Sequence, residues 1–331
     1  MNDATLRVDR RALIRAAGAG LVTAGIGYLP LAQAGVAVRQ GFQTNIWGMP
    51  TYYLMRSGLL AKHGLDVEEF AVPSGNLTMQ QMVARQVDIG TYAGPSFIIG
   101  NAKGGLVAIA VIEHVGKTTS IMARKDLKIT SVEQLRGLKV ANQSGSSIGN
   151  IFVDQIAPKH GLKKGDFQEV RMNVNDMVAA MAAKTVDAMV NVEPYNAIAT
   201  ADGLATQVMN YWDTDRMPVV MAATPDFIKE KPQAVVSYLK AWLEAAKDFK
   251  ERPDHVAQVI YSFYTSKGYK MSKETFRKAM DTIVVNPQFP ADLSTYMQTQ
   301  AEILLKAKKI KAIPDWKTAL RPDFMAKAQG G

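Results

Sequence analysis

Met82-Val83-Ala84-Arg85-Gln86-Val87-Asp88 is echoed 99 residues later by Met181-Ala182-Ala183-Lys184-Thr185-Val186-Asp187. Seven positions past each aspartate stands a proline, Pro95 and Pro194. Further on, Ile121-Met122-Ala123 matches Val220-Met221-Ala222 at the same offset. Each copy reads as a helix, a short strand, a loop ending in proline and a later apolar crossing strand. The pattern predicts two similar α/β halves, each presenting an equivalent loop at the carboxyl end of an equivalent strand. Open α/β sheets bind ligands at that end. Two such halves facing each other make a cleft, with the crossing strands near 120 and 220 as its hinge.

Outward from the echo, short apolar runs alternate with amphipathic stretches, the pattern of an α/β protein. Strands are expected at 37–42, 66–71, 88–91, 107–112, 120–123, 139–141, 188–190 and 219–222. Helices are expected at 51–63, 76–85, 131–136, 148–160, 175–184 and 195–202. Beyond Thr224 helical periodicity dominates, over 232–250, 253–265, 272–284 and 292–308, with Pro232 and Pro253 at first-turn positions where proline is tolerated. One half is expected to comprise 35–119 and 222–331, and the other 120–221.

The amino terminus reads as an export signal. Arg7, Arg10, Arg11 and Arg15 precede a weakly apolar stretch from Ala16 to Leu31, and Ala32-Gln33-Ala34 supplies a small-x-small cleavage site. Asp9-Arg10-Arg11-Ala12-Leu13-Ile14-Arg15 has a twin-arginine form. Glycines 18, 20, 25 and 27 interrupt the apolar part, which is shorter than the ~20 residues of a spanning helix. The chain has no cysteine, which excludes thiol catalysis and cysteine metal sites. Its formal charge is +9, and setting aside residues 1–34 removes four basic and two acidic residues to leave +7. The lysines are scattered, with no arginine-rich arm, so no nucleic-acid partner is expected; the charge gives a mild preference for anions. No Walker loop, metal-spaced histidine cluster or G-x-S-x-G elbow occurs, and neither cofactor nor metal is expected.

Several motifs in order carry a resemblance. Gly41-Phe42-Gln43, Pro50-Thr51-Tyr52-Tyr53-Leu54 and Gly58-Leu59-Leu60-Ala61-Lys62-His63-Gly64-Leu65-Asp66-Val67 open the mature chain. Val87-Asp88-Ile89-Gly90 with Gly94-Pro95-Ser96, then Leu135 to Ala141 with Gly145-Ser146, then Val186-Asp187-Ala188 with Glu193-Pro194-Tyr195 follow. The ordered set resembles the nitrate/sulfonate/taurine (NitT/TauT) family of periplasmic solute-binding proteins, which includes thiamine-precursor binders. The resemblance implies a two-lobed class II periplasmic binding fold with a helical carboxyl-terminal segment. It also implies a monomer that grips a small organic ligand between its lobes and hands it to an ABC transporter permease. Family ligands include sulfonates, nitrate, bicarbonate, pyrimidines and aromatic carboxylates. Asn191-Val192-Glu193-Pro194-Tyr195 departs from the sulfonate branch, which shows an aspartate flanked by tryptophan there. Two other readings stand beside this one: a thiamine-pyrimidine-synthase-like enzyme, whose branch carries a cysteine-rich motif absent here, and a ligand-binding partner of a sensor.

The candidate ligand residues are Asn45, Trp47, Tyr92, Gly94, Ser96, Glu113, Ser144, Ser146, Ser147, Asn173, Glu193 and Tyr195, with no catalytic residue among them. Asn142-Gln143-Ser144-Gly145-Ser146-Ser147 follows a strand and opens a helix, leaving N–H groups and a positive helix end for an anion or a carbonyl. Trp47 offers a flat wall with one N–H donor, and Asn45 offers both a donor and an acceptor. Tyr92, Tyr195 and Ser96 stand on the two echoed loops. Glu193 in a closed cleft needs a partner, either a ligand cation or Arg171, so a zwitterionic or amino-bearing ligand is expected. Glu113-His114 ends a strand and reads as a structural pair rather than an acid/base couple.

Overall fold

The computed structural model describes residues 35–269 and 271–330; the export signal expected over 1–34 lies outside the described residues. Eleven strands are present among these residues. They are β1 (Val36–Gln43), β2 (Leu65–Val72), β3 (Ile89–Ala93), β4 (Val107–His114), β5 (Thr119–Arg124) and β6 (Lys139–Asn142). The remainder are β7 (Gln168–Arg171), β8 (Ala188–Val192), β9 (Ala205–Asn210), β10 (Pro218–Ala223) and β11 (Val284–Gln288). They form two sheets, in the order β11-β4-β10-β3-β1-β2 and β7-β6-β8-β5-β9.

The 99-residue echo is a structural repeat. In the first sheet β1 runs parallel to β2 and β3, while β10 runs antiparallel between β3 and β4. In the second, β6 runs parallel to β7 and β8, while β5 runs antiparallel between β8 and β9. The echoed aspartates hold the same post in each. Asp88 donates its N–H to Arg39 O (2.8 Å) and accepts the Arg39 N–H on its carboxylate (2.9 Å). Asp187 does the same with Lys139, at 2.8 and 2.9 Å. Each aspartate therefore clips the start of its strand to the neighbouring one. Three residues before each, Arg85 and Lys184 take left-handed φ values of 60° and 55°, which end the preceding helix and turn the chain into the strand.

All eight expected strands form. β7, β9 and β11 are additional; β11 closes one edge of the first sheet by pairing with β4. The helix expected over 51–63 breaks in two, Met49–Arg56 and Leu59–Lys62, because Gly58 adopts a φ of +78°. Gly94-Pro95-Ser96, read from the sequence as a loop, instead opens a helix, Gly94–Gly104, with proline in its first turn. The helix expected over 148–160 forms as far as Lys159 but widens to a π-helical turn at Phe152–Ile156. Pro158 accounts for this, since it has no N–H to bond the carbonyl four residues back and its ring crowds that carbonyl.

The chain passes between the sheets through Val115–Thr118 and returns through Tyr211–Met217. These passages sit just before β5 and β10, not within them as expected. β10 lies wholly in the first sheet, so residues 218–221 pair there rather than with the second half. The passages are bonded to one another, Gly116 N–H to Arg216 O at 2.9 Å and Val115 N–H to Met217 O at 3.1 Å. A Cβ on Gly116 would stand 2.6 Å from Asp215 O, so only glycine lets them approach this closely.

Candidate functional site

The two sheets turn their repeat-related loops toward each other. From the first come the end of β1 with Asn45 and Trp47, the start of the helix Gly75–Val83 with Ser74 just before it, and the start of Gly94–Gly104 at Ser96. From the second come Gln143, Ser146 and Ser147 at the start of the helix Ser147–Ile151, together with Val174 and Val192. The enclosed space is about 20 Å³, room for a single water. Fourteen residues line it and none is ionisable. Its donors are hydroxyls, amides and the first N–H groups of three helices, which have no intrahelical acceptor and carry the positive end of the helix dipole.

The walls touch directly. Ser96 donates its N–H to Ser147 Oγ (3.0 Å), the two serine oxygens lie 2.9 Å apart, and Ser147 Oγ also donates to Ala93 O (3.4 Å). Ile46 N–H donates to Glu193 O (3.1 Å), and Glu193 N–H to Thr118 O (3.0 Å). Trp47 is 5% exposed and donates its indole N–H to Thr118 Oγ1 (2.7 Å), tying the aromatic wall to a crossing segment. Ser146 caps its helix by accepting from Gly149 N–H (3.3 Å) while donating to Gln143 O (2.7 Å). Asn45 caps the turn at Trp47 and also donates to Gln43 Oε1 and Pro73 O. One lining group is left over: the Ser74 hydroxyl is fully buried and has no hydrogen-bond partner.

Of the twelve candidates, Asn45, Trp47, Ser96, Ser146 and Ser147 line this space, and seven do not. Tyr92 is buried in the core packing, its hydroxyl 3.4 Å from Met82 Sδ. Gly94 sits against the Tyr296 ring, which a Cβ would meet at 2.6 Å. Ser144 donates to Glu169 Oε1 (2.5 Å), and Asn173 is exposed, accepting from Gln143 Nε2 (3.4 Å). Tyr195 packs in the core with its hydroxyl 3.2 Å from that of Tyr269. Glu113 lies on β4 opposite Val219 and Val285; both its carboxyl oxygens are buried without partners, and burial pushes its pKa well above the carboxylate range.

Glu193 is not paired with Arg171. Its carboxylate accepts the Ala197 N–H at 3.0 Å, inside the first turn of the helix Tyr195–Ala201, while Arg171 lies exposed on the edge strand β7. Burial pushes its pKa up to about 7, and the Ala197 bond offsets this only in part. Glu193 is not among the residues that line the space.

Sequence reasoning passed over Gln43, Ser74, Gly75, Asn76, Gln143 and Thr118. Ser74 carried a readable signal, since Ser74-Gly75-Asn76 ends a strand and precedes an amphipathic stretch as Ser144 to Ser147 does. A larger hollow of about 550 Å³ lies by the return passage, lined by His114, Lys159, Asp215, Arg216 and Tyr296 among others. None of the repeat-related loops reaches it, and the smaller space is the candidate site.

Two sheets of matching topology, joined by two crossings and facing each other across serine-rich helix starts, define a two-lobed periplasmic binding protein fold. The aliphatic-sulfonate-binding protein SsuA of Escherichia coli has this fold: TM-score 0.74, 20% identity, covering 86% of this chain and 92% of that one. The model of the family described as NMT1/THI5 like matches residues 43–256, and the chain belongs to that family. A binding protein of Brucella abortus (strain 2308) is 28% identical over 234 residues, 69% of this chain and 72% of the relative. A 4-amino-5-hydroxymethyl-2-methylpyrimidine phosphate synthase of Saccharomyces cerevisiae is 21% identical over 223 residues, 63% of this chain and 64% of that protein.

Proposed function

We propose that the chain is the periplasmic solute-binding component of an ABC importer, a monomer that captures a small polar or aromatic organic anion between its lobes. The observation that carries this reading is the cleft lining. It presents three helix starts and the unpartnered Ser74 hydroxyl, and it contains no carboxylate to repel an anion. Neutral donors suffice for an anion when several N–H groups converge on it. Trp47 supplies a flat wall for a ring or an aliphatic body. The same lining supports binding over catalysis, because no ionisable side chain stands where a ligand would be held. The net charge of +7 without residues 1–34 favours encounter with anions.

The test is thermal denaturation of the purified protein against a panel of small carboxylates, sulfonates and amines, with native mass spectrometry to find co-purified solute. A true ligand at a hundredfold excess over its dissociation constant stabilises by roughly 2.7 kcal/mol. Anions are expected to raise the melting temperature, and Ser74→Ala and Ser147→Ala to weaken the effect. Stabilisation by amines alone, or by anions equally in both variants, overturns the reading.

A further inference from the structure

The helix that brings Ser146 and Ser147 to the cleft is gripped one turn later by the carboxyl-terminal segment. Lys309 Nζ donates to Asn150 Oδ1 (2.7 Å) and forms an ion pair with Asp154 Oδ2 (2.6 Å). Gln155 Nε2 donates to Gln300 Oε1 (3.0 Å), and Gln300 Nε2 donates to Asp215 Oδ2 (2.9 Å) in the return passage. Tyr296, on the same helix as Gln300 (Leu293–Lys306), donates to Asp215 as well, at 3.1 Å. Asn150, Asp154 and Gln155 belong to the second lobe, whereas the Leu293–Lys306 helix packs against the Gly94–Gly104 helix in the first. The contact therefore bridges the lobes outside the cleft, and its partners are about 150 residues apart in sequence.

The groups suit such a role. The Lys309 and Asp154 side chains are 29% and 17% exposed, which places the pair between a screened surface bridge and a buried one. Gln300 is 5% exposed and uses both ends of its amide, one on the second lobe at Gln155 and one on the return passage at Asp215. The π-helical turn at Phe152–Ile156 contains both Asp154 and Gln155. These two side chains meet the tail, while Ser147, before the turn, lines the cleft.

We propose that Lys309 and Gln300 are positioning residues that set ligand affinity by holding the lobes together and fixing the serine-bearing helix, without touching the ligand. The inference rests on reading the cleft as the ligand site. The closed lobes leave room for a single water, so a larger ligand enters only when they part, and the hold of the clasp sets the fraction of molecules open to it.

The absence of native cysteine allows a direct test without ligand. Lys103→Cys and Lys164→Cys place spin labels on exposed residues of the two lobes, and pulsed dipolar spectroscopy reads their separation. Lys309→Met and, from the other side, Asp154→Asn are each expected to raise the population of longer separations roughly fivefold. The exchanged pair Lys309→Asp with Asp154→Lys is expected to return the distribution to that of the parent. Unchanged distributions in both single variants overturn the proposal, as does an exchanged pair that stays open. The distances are measured without ligand, so an error in the proposed ligand class leaves this result standing.

Discussion

Glu193→Gln tests whether a buried acid at the lobe junction works against the fold at neutral pH. The carboxyl is held up to about 7 by burial, against an ordinary value of 4.5. Its one hydrogen bond, from Ala197 N–H at 3.0 Å, can be accepted equally well by a glutamine carbonyl. Below pH 4.5 the carboxyl is protonated in both the folded and unfolded chains and makes no difference to stability. As pH rises, the unfolded chain ionises first, and the folded chain loses relative stability until about pH 7. The displacement of about 2.5 units, at 1.36 kcal/mol each, sets an upper figure of roughly 3 kcal/mol. Partial exposure of the side chain reduces this to about 2 kcal/mol. Glu193→Gln is thus expected to match the parent near pH 4 and to exceed it by about 2 kcal/mol at pH 8, roughly 3 °C in melting temperature. Asp215, pushed up to about 6, and the buried Glu113 are present in both proteins and cancel. Denaturant titrations at pH 4 and pH 8 read the difference directly. A gap between variant and parent that is the same at both values would refute the reasoning, and with it the assignment of Glu193 as a buried carboxyl lacking a cationic partner.

Three further outcomes follow from the geometry. Gly116→Ala places a methyl 2.6 Å from Asp215 O and pushes the crossing passages apart, so stability should fall by about 1–3 kcal/mol; an unchanged denaturation midpoint contradicts the close approach. Trp47→Phe removes the 2.7 Å bond to Thr118 and leaves that buried hydroxyl with one partner fewer. It should cost about 1 kcal/mol without changing the slope of unfolding with denaturant. At Lys184, whose φ is 55°, substitution by glycine should be neutral or slightly stabilising, whereas Lys184→Val should cost more than 1 kcal/mol; equal effects would show that the left-handed turn carries no strain.

What the sequence determined by itself was the repeat. Met82 to Asp88 and Met181 to Asp187 are alike because each must end a helix at a left-handed residue, begin a strand and clip it to its neighbour through an aspartate. These are local requirements of the backbone, so they leave a local record. The serines at 146 and 147 were legible for the same reason, since a cap residue before a helix is a short-range signal. Which way a side chain points across a strand was not local. Tyr92, Glu113 and Tyr195 stand near the candidate loops, but packing against the core decided that Tyr92 meets Met82, Tyr195 meets Tyr269 and Glu113 is buried within the first sheet. Gly116 looked unremarkable until the return passage stood against it. Lys309 and Gln300 carried no signal at all, because their meaning depends on partners about 150 residues away that only the folded chain brings within hydrogen-bonding distance.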